Sequence, residues 1–202
     1  MISNLKNKYF DWLNKVHNYN KITNVSADVR RYVVINGFDG IITILGVIIG
    51  NYVVKVTDYK HVILICFAMC ISLGVSGIWG AYFFESAERQ KNLEDLENST
   101  LHNLDHTVIH YANRFASRIS GAVNGIAPVV TALIPVIPFF FGKYIDIRTC
   151  YYISFGIALA GLFGVGIFLG KTTRTRLLVG GIKMLLAGVF CVVLSLILNF
   201  IS

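Results

Sequence analysis

Charge is scarce in this chain. Asp, Glu, Lys and Arg make up 14% of its 202 residues, against 55% hydrophobic residues, and the mean hydropathy is +0.64. So little charge describes an integral membrane protein, and the length leaves no room for a separate water-soluble domain of ordinary size. The four cysteines, Cys66, Cys70, Cys150 and Cys191, lie in or beside apolar segments and offer no disulfide framework. Cys66 and Cys70, four apart on an expected helix, admit either a soft-metal pair or plain apolar packing. Nucleotide loops, nucleophile elbows and zinc-protease motifs are missing, which argues against an enzyme and against a resident cofactor. Residues 1–31 are polar, basic and Asn-rich, without the apolar core and small-residue site of a secretory signal.

Long apolar runs are what the chain does have. Hydropathy predicts an all-α, polytopic membrane protein with five transmembrane helices: Tyr32–Val54, His61–Phe84, Gly121–Phe141, Tyr151–Leu169 and Leu177–Ile201. Organisation follows as an N-terminal arm (1–31), helices 1 and 2 (32–84), a polar loop (85–120) and helices 3 to 5 (121–202). Basic residues are unevenly shared between the two sides. The arm has Lys6, Lys8, Lys15, Lys21, Arg30 and Arg31, the second loop Arg89, Lys91, Arg114 and Arg118, and the fourth Lys171, Arg174 and Arg176. The other side has Lys55, Lys60, Lys143 and Arg148. This asymmetry predicts a cytoplasmic N-terminus and an outside C-terminus in a cell membrane. The net charge of +7 then reads as topology and contact with anionic lipid rather than nucleic-acid binding. Leu5, Tyr9, Trp12 and Val16 give the arm one apolar face among lysines, as in a helix lying in the headgroup layer.

Asp39 stands in the middle of the first apolar run. A carboxylate there costs about 2.5 to 3.5 kcal/mol to insert, so such residues face a pore, a partner, an ion or a buried hydrogen bond rather than lipid. At 100° per residue, Asn36, Asp39, Thr43, Gly46 and Gly50 fall within about 80° of one another, a polar and small stripe on an Ile/Val/Leu cylinder. Gly46 and Gly50 have the spacing that lets backbones approach, so this face is expected to pack on a copy of itself or on a neighbouring helix. Two such carboxylates meeting in a symmetric dimer repel unless a proton or cation lies between them. In the second helix Met69, Ser72, Ser76 and Gly80 share a face, which places Ser76 near the depth of Asp39 and makes Gly80, like Gly46 and Gly50, an expected helix-packing residue. The third holds every proline of the chain, Pro128, Pro135 and Pro138, with Asn124 and Thr131. Each proline frees a carbonyl, for a packing kink or for an ion.

The polar loop is the second place where chemistry is expected. It has Glu85 and Glu88, then Glu94 and Glu97, beside His102, His106 and His110. Leu101, Leu104, Val108, Ala112, Phe115 and Ile119 form an apolar stripe, so the loop is predicted as an amphipathic cytoplasmic helical hairpin lying against the membrane. The histidine row at i, i+4, i+8 admits a divalent-metal site with carboxylate help or a merely solvated face. Bringing both acidic pairs together requires a break near Gln90 to Leu93, or a second protomer.

RRYVVINGFDGIITILGVIIG, then SGIWGAYFFESAERQ, then ALIPVIPFF resemble the membrane domain of the vacuolar iron transporter (VIT) family, from about Asp28 to the end of the chain. The resemblance implies a homodimer that exports Fe²⁺, and often Mn²⁺, from the cytosol in exchange for protons. Metal is then the cargo, and the path runs along the dimer interface past the aspartate that Asp39 matches. Two positions depart from the family pattern: Gly77 and Ala81 stand where members commonly carry Met and Glu. The cytosolic insert is also much shortened. A scaffold or metal-responsive protein that keeps the fold without transporting is the alternative reading.

Overall fold

The computed structural model describes residues 16–105, 107–173 and 176–201. Among these, five long helices follow one another: α1 (Val25–Val53), α2 (Tyr59–Thr100), α3 (Val108–Phe140), α4 (Ile147–Thr172) and α5 (Leu177–Ile201). All five are long and apolar enough to cross a membrane, and no described residue lies in a strand. The five predicted spans are therefore all present. Their helices run past the apolar windows because backbone hydrogen bonding continues wherever polar, helix-tolerant residues follow. Of the predicted arm helix, Leu5, Tyr9 and Trp12 lie outside the described residues, while 16–23 are helical and Tyr19 meets the ring of Phe115 on α3 at 5.6 Å.

The largest difference from expectation is α2, which is unbroken for 42 residues. No break occurs at Gln90 to Leu93, and the chain reverses only at 101–107. At 1.5 Å per residue α2 is about 63 Å long, roughly twice a hydrocarbon core, so its last four turns stand clear of the bilayer. The hairpin is thus made by α2 and α3 continuing as a pair rather than by separate helices laid on the surface. Leu101 and Leu104 fall in the turn and Val108 is exposed, which ends the apolar stripe there. Of the rest of it, Ala112 is fully buried and Phe115 and Ile119 are half-buried; Ala116, outside the predicted stripe, is fully buried as well, and Leu93 on the facing arm is buried.

Small residues set the packing, because in lipid there is no hydrophobic drive between helices and close backbone contact must supply the attraction. α2 lays Val62, Cys66, Cys70, Gly74 and Ala81 in one buried line against α3. A Cβ added at Gly77 would stand 2.7 Å from the Asn124 carbonyl oxygen and 2.8 Å from the Gly125 Cα. α1 meets α3 at Gly40, where an added Cβ would run into the Pro128 carbonyl and lie 2.7 Å from the Pro128 Cα. One core joins α1 to α4 through Ile44, Ile48, Cys66, Cys70, Phe139, Cys150 and Tyr151. A second joins α1 to α4 through Ile41, Leu45, Ile49, Ala158 and Leu162. Cys66 and Cys70 therefore serve as apolar packing. α3 stays helical across Pro128, Pro135 and Pro138, all buried. α4 donates to this stretch from Ser154 Oγ to the Pro135 carbonyl at 2.5 Å and from Cys150 Sγ to the Pro138 carbonyl at 3.5 Å.

Candidate metal path on the first helix

α1 buries one side and leaves the other bare. Val34, Gly37, Ile41, Ile44, Ile48 and Ile49 are buried, whereas Asp39 and Gly50 are exposed and Asn36, Thr43 and Gly46 are half-buried. The polar stripe thus faces away from the bundle. Asn36 Nδ2 donates to the Tyr32 carbonyl at 2.9 Å, one turn back, which leaves its side-chain oxygen available. Among the described residues no hydrogen bond or ion pair reaches the Asp39 carboxylate, so none of them compensates its charge. Gly46 and Gly50 likewise meet nothing: a Cβ added at either finds no atom within 4 Å. Of the two expectations for that glycine pair, contact with a neighbouring helix of the same chain is not what the structure shows.

The other expected path residues are spread out. Ser76 is exposed on the free side of α2, and Asn124 is half-buried at the α2–α3 seam, its carbonyl against Gly77. Gly80 was expected to pack a helix, yet an added Cβ there meets open space; Gly74, Gly77 and Ala81 make that contact instead. Sequence reasoning chose the polar face of α2, and the signal it passed over was the small-residue line facing Gly121 and Gly125.

The hairpin carboxylates are mostly engaged. Glu85 is buried and accepts from Arg89 Nε at 3.0 Å and from the Tyr32 hydroxyl. The same Arg89 reaches Asp28 through Nη2 at 3.0 Å, so Asp28, Arg89, Glu85 and Tyr32 tie the start of α1 to the base of the hairpin. Glu97 caps the turn by accepting from the Leu104 backbone N–H at 2.6 Å, and Glu94 accepts from Gln90 at 3.2 Å. Glu88 is exposed. His102 lies exposed in the turn and His110 in the first turn of α3, 3.9 Å from Asp105, so these two do not share a helix face. His106 lies outside the described residues. Among the described residues no three His, Cys, Asp or Glu side chains gather as a metal site requires.

Comparison with known proteins bears on this arrangement. The pattern that defines the VIT family matches residues 102–199, from the hairpin turn through α5. An uncharacterized protein of Methanocaldococcus jannaschii is 32% identical over 157 residues, 76% of this chain and 80% of its own length. The chain belongs to the VIT family. Membership makes it a multi-pass membrane protein of a family that transports metal ions, and not an enzyme. Its Gly77 closes the α2–α3 seam against the backbone of Asn124 and Gly125, and Ala81 is buried one turn on.

Proposed function

We propose that this VIT-family chain exports divalent metal, Fe²⁺ or Mn²⁺, from the cytosol as a homodimer, with protons moving the other way. The carrying observation is Asp39: a mid-span carboxylate with no hydrogen-bond or ionic partner among the described residues, on a bare stripe with two glycines. Left against acyl chains it is unfavourable by several kcal/mol. A second copy of the same stripe shields it, the glycines allow the close approach, and the paired carboxylates then call for a cation or protons between them. Asn36 and Thr43 add neutral oxygens, a hard donor set that suits Mn²⁺ and Fe²⁺ better than soft metals. Ser76 and Asn124 belong to the path if α2 shifts toward the seam during the cycle.

Replacing both Gly46 and Gly50 by Ile tests the dimer. Light scattering in detergent is expected to show a monomer while the helical circular dichroism of the wild type is kept, since a Cβ added at either position meets no other atom within 4 Å. A persistent dimer would put the seam elsewhere.

A scaffold that binds no metal is the second reading, and one observation favours it: Gly77 lies so close to Asn124 and Gly125 that no larger side chain fits there. Calorimetry separates the two. The transporter is expected to bind Mn²⁺ in the wild type and to lose that heat in Asp39→Asn, whereas the scaffold gives no heat in either.

A further inference from the structure

Where the hairpin joins the spans, a cavity of about 360 Å³ opens between α2 and α3. It is lined by Arg89, Arg114, His110, Gln90, Asn113 and Ser86 among others, and no Asp or Glu lines it. The place from which cations were expected to be gathered is therefore rich in donors and poor in acceptors of negative charge. Two guanidiniums on one wall disfavour a metal ion and match the oxygens of an anion.

Depth narrows the choice of anion. Tyr82 lines the cavity from within the apolar run that ends at Phe84, and Ser117 lies one turn before Gly121, where α3 becomes continuously apolar. The cavity thus sits at the level of the headgroups, and Trp79 and Phe83 are exposed beside it on the neighbouring turns of α2. Arg89 is fixed there, because Glu85 and Asp28 hold it through Nε and Nη2. A guanidinium has five N–H groups, so others remain for the cavity. Those two carboxylates take up much of the Arg89 charge, and Arg31 stacks over the Tyr32 ring nearby. Asp105 and Glu94 stand close to His110 and Gln90. The unspent positive charge of the wall is therefore Arg114, which is exposed.

We propose that this cavity binds a phosphate group, with Arg114 as its main ionic contact, Arg89 as a fixed donor, and Asn113 and Gln90 as neutral donors. A basic pocket between spanning helices at this level fits the phosphate of an anionic lipid, and a free phosphate ion shares the same chemistry. The site is separate from the α1 stripe and does not depend on transport.

The test uses full-length protein, delipidated in detergent, with native mass spectrometry and calorimetry. The probes are dioctanoyl phosphatidic acid, dioctanoylglycerol, which lacks the phosphate, and inorganic phosphate. One phosphatidic acid is expected to bind per chain and dioctanoylglycerol not to bind. Arg114→Gln is expected to weaken binding about tenfold, the loss of one charge-assisted contact. Arg118→Gln removes the same charge one turn away, outside the cavity, and is expected to change nothing. Saturable binding of inorganic phosphate that is weakened by Arg114→Gln identifies a soluble ion as the occupant and supports the site. Failure of both phosphate probes to bind, or equal effects of Arg114→Gln and Arg118→Gln, overturns the proposal.

Discussion

Asp39→Asn is expected to reduce metal-driven proton movement in proteoliposomes by well over tenfold, while the protein still elutes as a folded dimer. The reason is that Asn keeps the shape and both polar ends of the side chain but removes the charge that recruits a cation and the site that takes a proton. Insertion becomes more favourable without the carboxylate, and the repulsion between two facing charges disappears. Stability and dimerisation should therefore hold or improve as transport is lost. That opposite movement is what distinguishes a cargo-binding carboxylate from a structural one, which would take the fold down with it. Measurement requires Mn²⁺ or Fe²⁺ on one side of the vesicle and a pH-sensitive dye on the other. Flux equal to the wild type would remove Asp39 from the mechanism.

The second large effect is on the fold. Gly40→Val is expected to cost about 3 kcal/mol, the upper end of the usual range for overpacking, and to lower the yield of folded protein in detergent sharply. The change forces a branched side chain into the Pro128 carbonyl and into Thr131 Oγ1, 2.6 Å from even a first carbon. A backbone carbonyl cannot rotate away as a flexible side chain can, so α1 and α3 must separate. Gly125→Val should behave alike, since a Cβ there meets the Gly74 carbonyl at 2.5 Å and the Ile78 nitrogen at 2.8 Å. Thermal unfolding followed by the static light scattering of aggregation gives the comparison. Gly46→Val, four residues before the open Gly50 position on the bare stripe, should keep the wild-type midpoint of the monomer. If Gly40→Val and Gly46→Val melt together, the assignment of α1's two faces is wrong.

These two glycine sets show what could be read in the letters and what could not. Five apolar runs separated by polar loops dictate five spanning helices almost without context, because backbone groups in lipid have no other stable arrangement. Asp39 announced itself for the same reason. The partner of each small-residue face was not legible. Gly46 and Gly50 have the familiar spacing yet meet open space, whereas Gly37 and Gly40, three apart in the same helix, make the contact with α3. Both faces of α1 carry glycine, and only the packed structure tells them apart. In the hairpin, a continuous α2 was missed because charged residues from Glu85 onward end the hydropathy signal, while Lys, Glu, Gln and Leu are all good helix formers. The bond network of Asp28, Arg89, Glu85 and Tyr32 joins residues 61 apart in the chain. The charges that neutralise one another there had been assigned separately to topology and to metal capture.

An uninterrupted α2 has a mechanical meaning. A rod of about 63 Å that tilts by about 5° about its middle carries each end some 3 Å in opposite directions, with no joint along it to absorb the motion. Whatever grips or releases the tip beyond the membrane therefore swings Tyr59, at the far end, at the same moment, while Ser76 near the middle stays almost still, and the distance between signal and response is set by stiffness rather than by any chain of contacts.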